Sequence, residues 1–376
     1  MKQRSFLRIA GMWLALFGTV SEAQTPTPAQ VELAAVRRTW LDYLASKGGR
    51  YSANAGTPSP LWLEIEQRRW PVYDLAGFYL ADGATPEILS IARVTRRSGM
   101  SDAEYRIVTR FRSGDAKTTP PNWWTDMTVT VYAIRVGQEW RLSNALDRNT
   151  RDWLRDTVGP ITYVHDRSYK YSAERARRAV DFVDSVARAF EIPRLAETTY
   201  YLATSSDEVY GLMGLESKMK FGSTGGVAQP VNRQLFSGIP AIGEEYRHEL
   251  AHLLFAPLCC AQTSYFVSEG VATWLGGTSG ADFPTAVRNL AKFLADRPSV
   301  SLDSLLEGSF STTQLYPAAG VLVSMAVERR GASVVKELFR SGRSPRELRT
   351  AMESLLGRSW PTIVTDWRSR VLAFAK

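Results

Sequence analysis

The sequence predicts an α+β chain of two folded units, first a helix with an antiparallel sheet, then a mostly helical unit with a small sheet. Three observations carry this expectation. The 376 residues exceed what one hydrophobic core usually serves. Residues 72–146 fall into five β-type runs, 72–80, 87–95, 104–112, 127–136 and 139–146, separated by clusters of Gly, Pro, Asp and Ser. Beyond Gly159 the apolar spacing becomes helical over most of the remaining chain.

Taken in order, residues 1–23 have the layout of a secretory signal. Lys2, Arg4 and Arg8 give a positive start, residues 9–20 are apolar, and Ser21-Glu22-Ala23 offers small residues for cleavage. An exported protein, periplasmic or secreted, is expected, with a mature chain from Gln24. The apolar run is shorter than the roughly 20 residues of a membrane helix, so no stable span is expected. A Thr-Pro-Thr-Pro linker at 25–28 leads into a helix over 29–46, where Val31, Ala34, Trp40, Tyr43 and Leu44 follow helical spacing. The last two β runs pair as a hairpin around Gly137-Gln138. A helix followed by such a sheet and long hairpin resembles the NTF2-like or cystatin-like cone. That resemblance implies a hollow for a small molecule, a docking module or a plain spacer over residues 24–155.

The second unit, residues 156–376, is expected to contain strands at 161–165 and 198–204 and a helix at 173–190. Further helices are expected at 241–255, 267–275, 284–295, 318–330, 332–341, 345–356 and 361–374. Composition excludes little: 44% hydrophobic and 22% charged residues suit a soluble globular protein. Loss of three basic residues and one acid with the signal takes the formal charge from +8 to +6. The basic residues are scattered among acids, so a solvated surface and not a nucleic-acid footprint is expected. Cys259 and Cys260 are adjacent, about 3.8 Å apart at Cα and too close for an ordinary mutual disulfide.

The chemistry concentrates in Arg247-His248-Glu249-Leu250-Ala251-His252, an HExxH pattern in a stretch free of Gly and Pro. On a helix, His248 and His252 stack on one face and can both bring a ring nitrogen to one zinc ion. Glu249 lies beside them, placed to act as general base towards a water at the metal. The competing reading is a helix with incidental histidines. Catalytic zinc wants a third protein ligand. His165, in an expected edge strand, suits a surface or hydrogen-bonded histidine better, whereas Glu269 stands at the start of the next helix.

His248-Glu249-Leu250-Ala251-His252 followed by Ser268-Glu269-Gly270-Val271-Ala272 resembles the gluzincins, the thermolysin-like and aminopeptidase-like metallopeptidases. The resemblance spans about residues 160–376 and implies a peptidase with one Zn2+, Glu269 as third ligand and a peptide or protein substrate. It departs from the thermolysin-like pattern at Thr273, where those enzymes carry an Asp, which leaves the orientation of the histidines unassigned. Gly225-Gly226-Val227-Ala228-Gln229 is similar to the edge strand that pairs with extended substrate in the aminopeptidase-like group, a plain loop being the alternative. Leu315-Tyr316-Pro317-Ala318-Ala319-Gly320 resembles the segment whose Tyr steadies an oxyanion, which makes Tyr316 the candidate donor, with a structural tyrosine as the alternative. The cysteines are expected as buried small residues and not as ligands. No short motif places an acidic group for a substrate's free amine, so endopeptidase action is the expectation. A binding protein that kept the metal fold and lost turnover, acting through its N-terminal unit, is the rival from another class. Nucleophile-elbow, phosphate-loop and dinucleotide signatures are absent from the sequence.

Overall fold

The computed structural model describes residues 26–51, 58–68, 83–94, 103–112, 126–217, 225–258, 263–278, 280–308 and 310–375. The expected signal at 1–23, the strand at 72–80 and the cysteine pair lie outside the described residues.

Helix α1 (Pro28–Lys47) begins where Thr27 and Gln30 form a reciprocal capping box with Pro28 in the first turn, and ends at Gly48 in the left-handed region. It lays Val36, Trp40, Tyr43 and Leu44 on the first sheet, and the Trp40 indole donates to Thr109 Oγ1 at 2.8 Å. After the short α2 (Glu64–Arg68), strands β1 (Thr85–Arg93), β2 (Glu104–Arg112), β3 (Asp126–Val136) and β4 (Glu139–Asn144) pair antiparallel in chain order. The expected hairpin forms between β3 and β4, with Gly137 at φ 61° in its turn. Helix α3 (Leu146–Asn149) replaces the expected last residues of β4, because Ala145 already has helical backbone angles.

Strands β5 (Leu154–Val158) and β6 (Ile161–His165), helix α4 (Ala173–Phe190), strand β7 (Thr198–Leu202), helix α5 (Ser206–Leu212) and strands β8 (Leu215–Ser217), β9 (Gly226–Gln229) and β10 (Gln234–Ser237) follow. The second sheet runs β5-β6-β7-β10-β9, parallel in the middle and antiparallel at both edges. His165 therefore sits in an interior strand, which corrects the expected edge. Strand β8 leaves this sheet and extends the first: Leu215 and Ser217 pair with Val129 and Met127 on the side of β3 where β4 pairs further along.

Along β6, β7 and β10 successive side chains enter different cores. Tyr163, Tyr200 and Leu235 pack towards the helices, while Val164, Tyr201 and Phe236 pack under the first sheet. A sheet buried on both faces loses polar alternation, so apolar side chains stand next to one another along these strands, as at Tyr163-Val164, Tyr200-Tyr201 and Leu235-Phe236.

The remaining elements are α6 (Arg247–Phe255), α7 (Tyr265–Gly276), α8 (Phe283–Ala295), α9 (Leu302–Glu307), α10 (Thr312–Arg330), α11 (Val334–Leu338), α12 (Pro345–Leu356) and α13 (Trp360–Ala373). Two start six residues from where they were expected, the other expected ones start within two, and α9 was not among those expected. Helix α6 opens at Arg247 and not at 241, because Tyr246 has non-helical ψ 79° and the Glu244 carboxylate is buried against Arg175 and the Ser172 N–H. Helix α10 opens before Pro317, which lies inside it. Among the described residues no helix is long and apolar enough to cross a membrane.

Candidate metal centre

Helices α6, α7 and α10 meet over the β9 edge of the second sheet and enclose a cleft of about 400 Å³. The close approach is written in small residues. A Cβ on Gly270 of α7 would come within 2.9 Å of the Ala319 carbonyl of α10, so only glycine lets these helices touch at that level. Their contact brings Tyr316 over the cleft, its ring stacked on His248 at 5.7 Å between centroids.

One helical turn separates His248 from His252, and both imidazoles point at Glu269 on α7. His248 Nε2 is 3.2 Å from Glu269 Oε2, His252 Nε2 is 3.5 Å from Glu269 Oε1, and the two Nε2 atoms are 3.2 Å apart. This is the group of His, Cys, Asp or Glu side chains that converges as metal ligands do among the described residues. Zinc held tetrahedrally at ~2.0–2.1 Å sets its ligands about 3.3 Å from one another, close to all three separations.

The hydrogen bonds test whether a cation fits. His248 Nδ1 lies 2.7 Å from the Gly277 carbonyl, which can only accept, so Nδ1 carries the hydrogen and Nε2 turns a lone pair inward. The Ser268 hydroxyl stands 3.3 Å from His252 Nδ1. The His248 lone pair, the His252 ring and a carboxylate facing one another suit a shared cation, and the N, N, O donor set suits zinc. The charges agree with this. Burial works against ionised Glu269, yet the facing His248 and His252 imidazoles bring its pKa down to about 2. Burial likewise opposes a proton on His252, but the hydrogen bond and charge of Glu269 outweigh it and the imidazole pKa is raised.

Glu249 is buried beside this trio without belonging to it, and its Oε2 accepts the Ala228 N–H of β9 at 2.9 Å. The sequence 225–229 thus supplies an edge strand and not a loop, antiparallel to β10. A Cβ on Gly226 would lie 2.3 Å from the Tyr246 ring and 3.0 Å from Glu249 Cγ, so the strand needs glycine to approach the helix this closely. The Tyr316 hydroxyl is 2.5 Å from that of Tyr265, and burial, the Glu269 charge and this bond push its pKa far up, so it remains a protonated donor.

Every expected site residue is thereby placed: His248, His252 and Glu269 converge, and Glu249 and Tyr316 line the same cleft. His165 does not take part. It lies in the second sheet with Nε2 3.0 Å from Asp156 and its ring stacked on Tyr171. Sequence reasoning missed Ser268 and the Gly277 carbonyl. Ser268 sits one residue before Glu269 and had a usable signal, whereas a backbone carbonyl has none.

No protein-family model matches the chain, and no curated protein does. Among solved structures it is similar to the aminopeptidase A of Legionella pneumophila in complex with aspartic acid, at 9% identity over 76% of this chain and 32% of that one, with TM-score 0.37. It is also similar to the M1 zinc metallopeptidase of Deinococcus radiodurans, at 11% identity over 79% of this chain and 62% of that one, with TM-score 0.33. The alignment spans about a third of the first structure's length and less than two thirds of the second's. At such scores these likenesses carry no assignment, and the chemistry of the site rests on its own side chains.

Proposed function

We propose that the chain is an exported zinc-dependent peptidase that cleaves internal peptide bonds. The observation that supports this most is the convergence of His248, His252 and Glu269 on one point in an open cleft, with Glu249 beside them and an edge strand alongside. When bound, zinc supplies Lewis acidity that polarises a carbonyl and makes water acidic enough to attack it near neutral pH. Glu249 accepts the proton of the attacking water and delivers it to the leaving amine. Tyr316, kept protonated, donates to the oxyanion that develops on the carbonyl. Alternation along β9 turns the N–H and C=O of Gly226 and Ala228 to the cleft side; with the Ala228 N–H held by Glu249, the Gly226 N–H and C=O and the Ala228 C=O are the groups an extended peptide can pair with.

The lining of the cleft supports internal cleavage. The described residues lining the cleft carry no carboxylate besides Glu249 and Glu269, so a substrate's free amine finds no acidic partner there. The peptidase unit in this proposal is residues 156–376. Residues 24–155 form an NTF2-like module for docking or small-molecule binding, and residues 1–23 direct export.

The test is a mixed peptide library incubated with the purified protein, with and without chelator, and read by mass spectrometry. Internal cleavage that stops on chelation and returns with zinc is expected. Zinc uptake without cleavage of any peptide would make the chain a metal-binding protein and overturn the proposal, and sequential loss of N-terminal residues would make it an aminopeptidase.

A further inference from the structure

We propose that the backbone carbonyl of Gly277, and not a side-chain carboxylate, is the group that positions His248 for the metal; the inference rests on the zinc reading above. Metal-bound histidines depend on a partner at the other ring nitrogen, which fixes both tautomer and ring plane. The residue one helical turn beyond Glu269 is Thr273. It is fully buried, and its hydroxyl has no hydrogen-bond partner among the described residues, His248 included. The contact to His248 Nδ1 comes at 2.7 Å from Gly277, the residue that caps α7.

Two glycines make this contact possible for different reasons. A Cβ on Gly276 would lie 2.3 Å from the His248 backbone nitrogen, so the end of α7 can abut the start of α6 only without a side chain there. Gly277 has φ 74° and ψ −164°, a region open essentially to glycine alone, and this turns its carbonyl towards the imidazole while its N–H still caps Thr273 O. The pair Gly276-Gly277 thus holds a positioning role that no side chain among the described residues performs for His248. Backbone geometry at a helix end sets how well the imidazole is aimed.

The experiment compares Gly277→Ala with Gly331→Ala. Gly331 caps α10 with nearly the same backbone, φ 80° and ψ 177°, so its variant bears similar backbone strain without the histidine contact; the added methyl meets nothing there, whereas on Gly277 it would lie 2.1 Å from the Ala281 carbonyl, so folding is compared alongside affinity. Zinc affinity is read by competition with a chromophoric chelator, and folding by circular dichroism. Gly277→Ala is expected to bind zinc about 10–100-fold more weakly, as for loss of such a partner elsewhere, with Gly331→Ala at the parent's affinity. Equal affinities in the two variants would overturn the proposal.

A second measurement does not need a variant that folds. Labelling histidine with 15N gives a spectrum of three imidazoles. In the zinc-loaded parent, His248 is expected with a slowly exchanging proton on Nδ1 and zinc on Nε2. A freely exchanging Nδ1 proton, or ligation through Nδ1, overturns the inference while leaving the metal site intact. A parent that takes up no zinc overturns both this inference and the functional proposal beneath it.

Discussion

Replacing Glu249 by Gln separates proton transfer from everything else the side chain does. Length and volume are kept, and the amide oxygen can still accept the Ala228 N–H that Glu249 Oε2 holds at 2.9 Å, so β9 keeps its place along the cleft. Zinc uptake should persist, because Glu249 is not among the three side chains that converge as ligands. A positioned general base contributes typically ~10²–10⁴ in rate, equivalent to about 2.7–5.5 kcal/mol of barrier at ~1.4 kcal/mol per decade. Stability should move far less. Exchanging a charge-assisted hydrogen bond for a neutral one costs about 1 kcal/mol, and the easier burial of an amide offsets part of it. Glu249→Ala adds a different effect, since it leaves the Ala228 N–H unpartnered at about 1–3 kcal/mol. The assay is turnover of an internally quenched peptide, with zinc stoichiometry by atomic absorption and a thermal midpoint on the same samples. Turnover close to the parent's in zinc-loaded Glu249→Gln would remove Glu249 as the base. Joint loss of zinc and turnover would make Glu249 part of the metal's support instead.

Tyr316→Phe keeps the stacking on His248 and removes the donor hydroxyl, so turnover should fall by about 10²–10³ with KM little changed; a fall in binding at unchanged turnover would mark a cleft wall instead. Glu269→Ala removes one candidate ligand and the charge that raises the His252 pKa, so zinc affinity measured by chelator competition should collapse, and affinity near the parent's would rule Glu269 out as a ligand. Because that charge raises the His252 pKa, zinc must displace a proton as pH falls through the raised value. Affinity should therefore weaken towards acid, with proton release seen by calorimetry in buffers of different ionisation enthalpy, and no release would contradict the charged pair. A fragment starting at Asp152 uncovers Val164, Tyr201 and Phe236, each worth ~1.5–3 kcal/mol when buried, against a typical total stability of ~5–15 kcal/mol. It should lack a cooperative unfolding transition, and a fragment melting like the full chain would refute the shared core.

Local patterns decided what was legible in the sequence. Helix α4 matched its expected bounds at both ends because Ser172 caps it and Ala176, Ala179, Val183, Val186 and Phe190 keep one apolar stripe. Strand β6 matched for a similar reason, a short β-branched and aromatic run between turns. The start of α6 was not legible, since Glu244 and Glu245 look like ordinary helix formers and only the buried Arg175 contact shows why the chain turns there. Pro317 suggested a helix start, although α10 already runs from Thr312. Strand β10 was missed because its four buried residues alternate in neither polarity nor size. In the site, His248, Glu249, His252 and Glu269 announce themselves by residue type and spacing. What orients them was hidden, because Gly277 acts through its carbonyl and Ala228 through its N–H, and neither action depends on a side chain.

The position of the cleft follows from how the layers are stacked. Helices α6, α7 and α10 present the candidate ligands and Tyr316 from one side, and the edge of the second sheet presents Gly226 and Ala228 from the other. Such a seam keeps its geometry only if the sheet is held from behind. The first sheet does this by covering Val164, Tyr201 and Phe236, and β8 joins it to β3 by backbone hydrogen bonds. Strand β8 ends at Ser217, and β9, which forms the wall of the cleft, begins at Gly226. Packed interiors transmit strain because they have little free volume. A substitution that loosens Leu215 against Val129 should therefore reach Ala228 and its bond to Glu249, although Leu215 lines no part of the cleft.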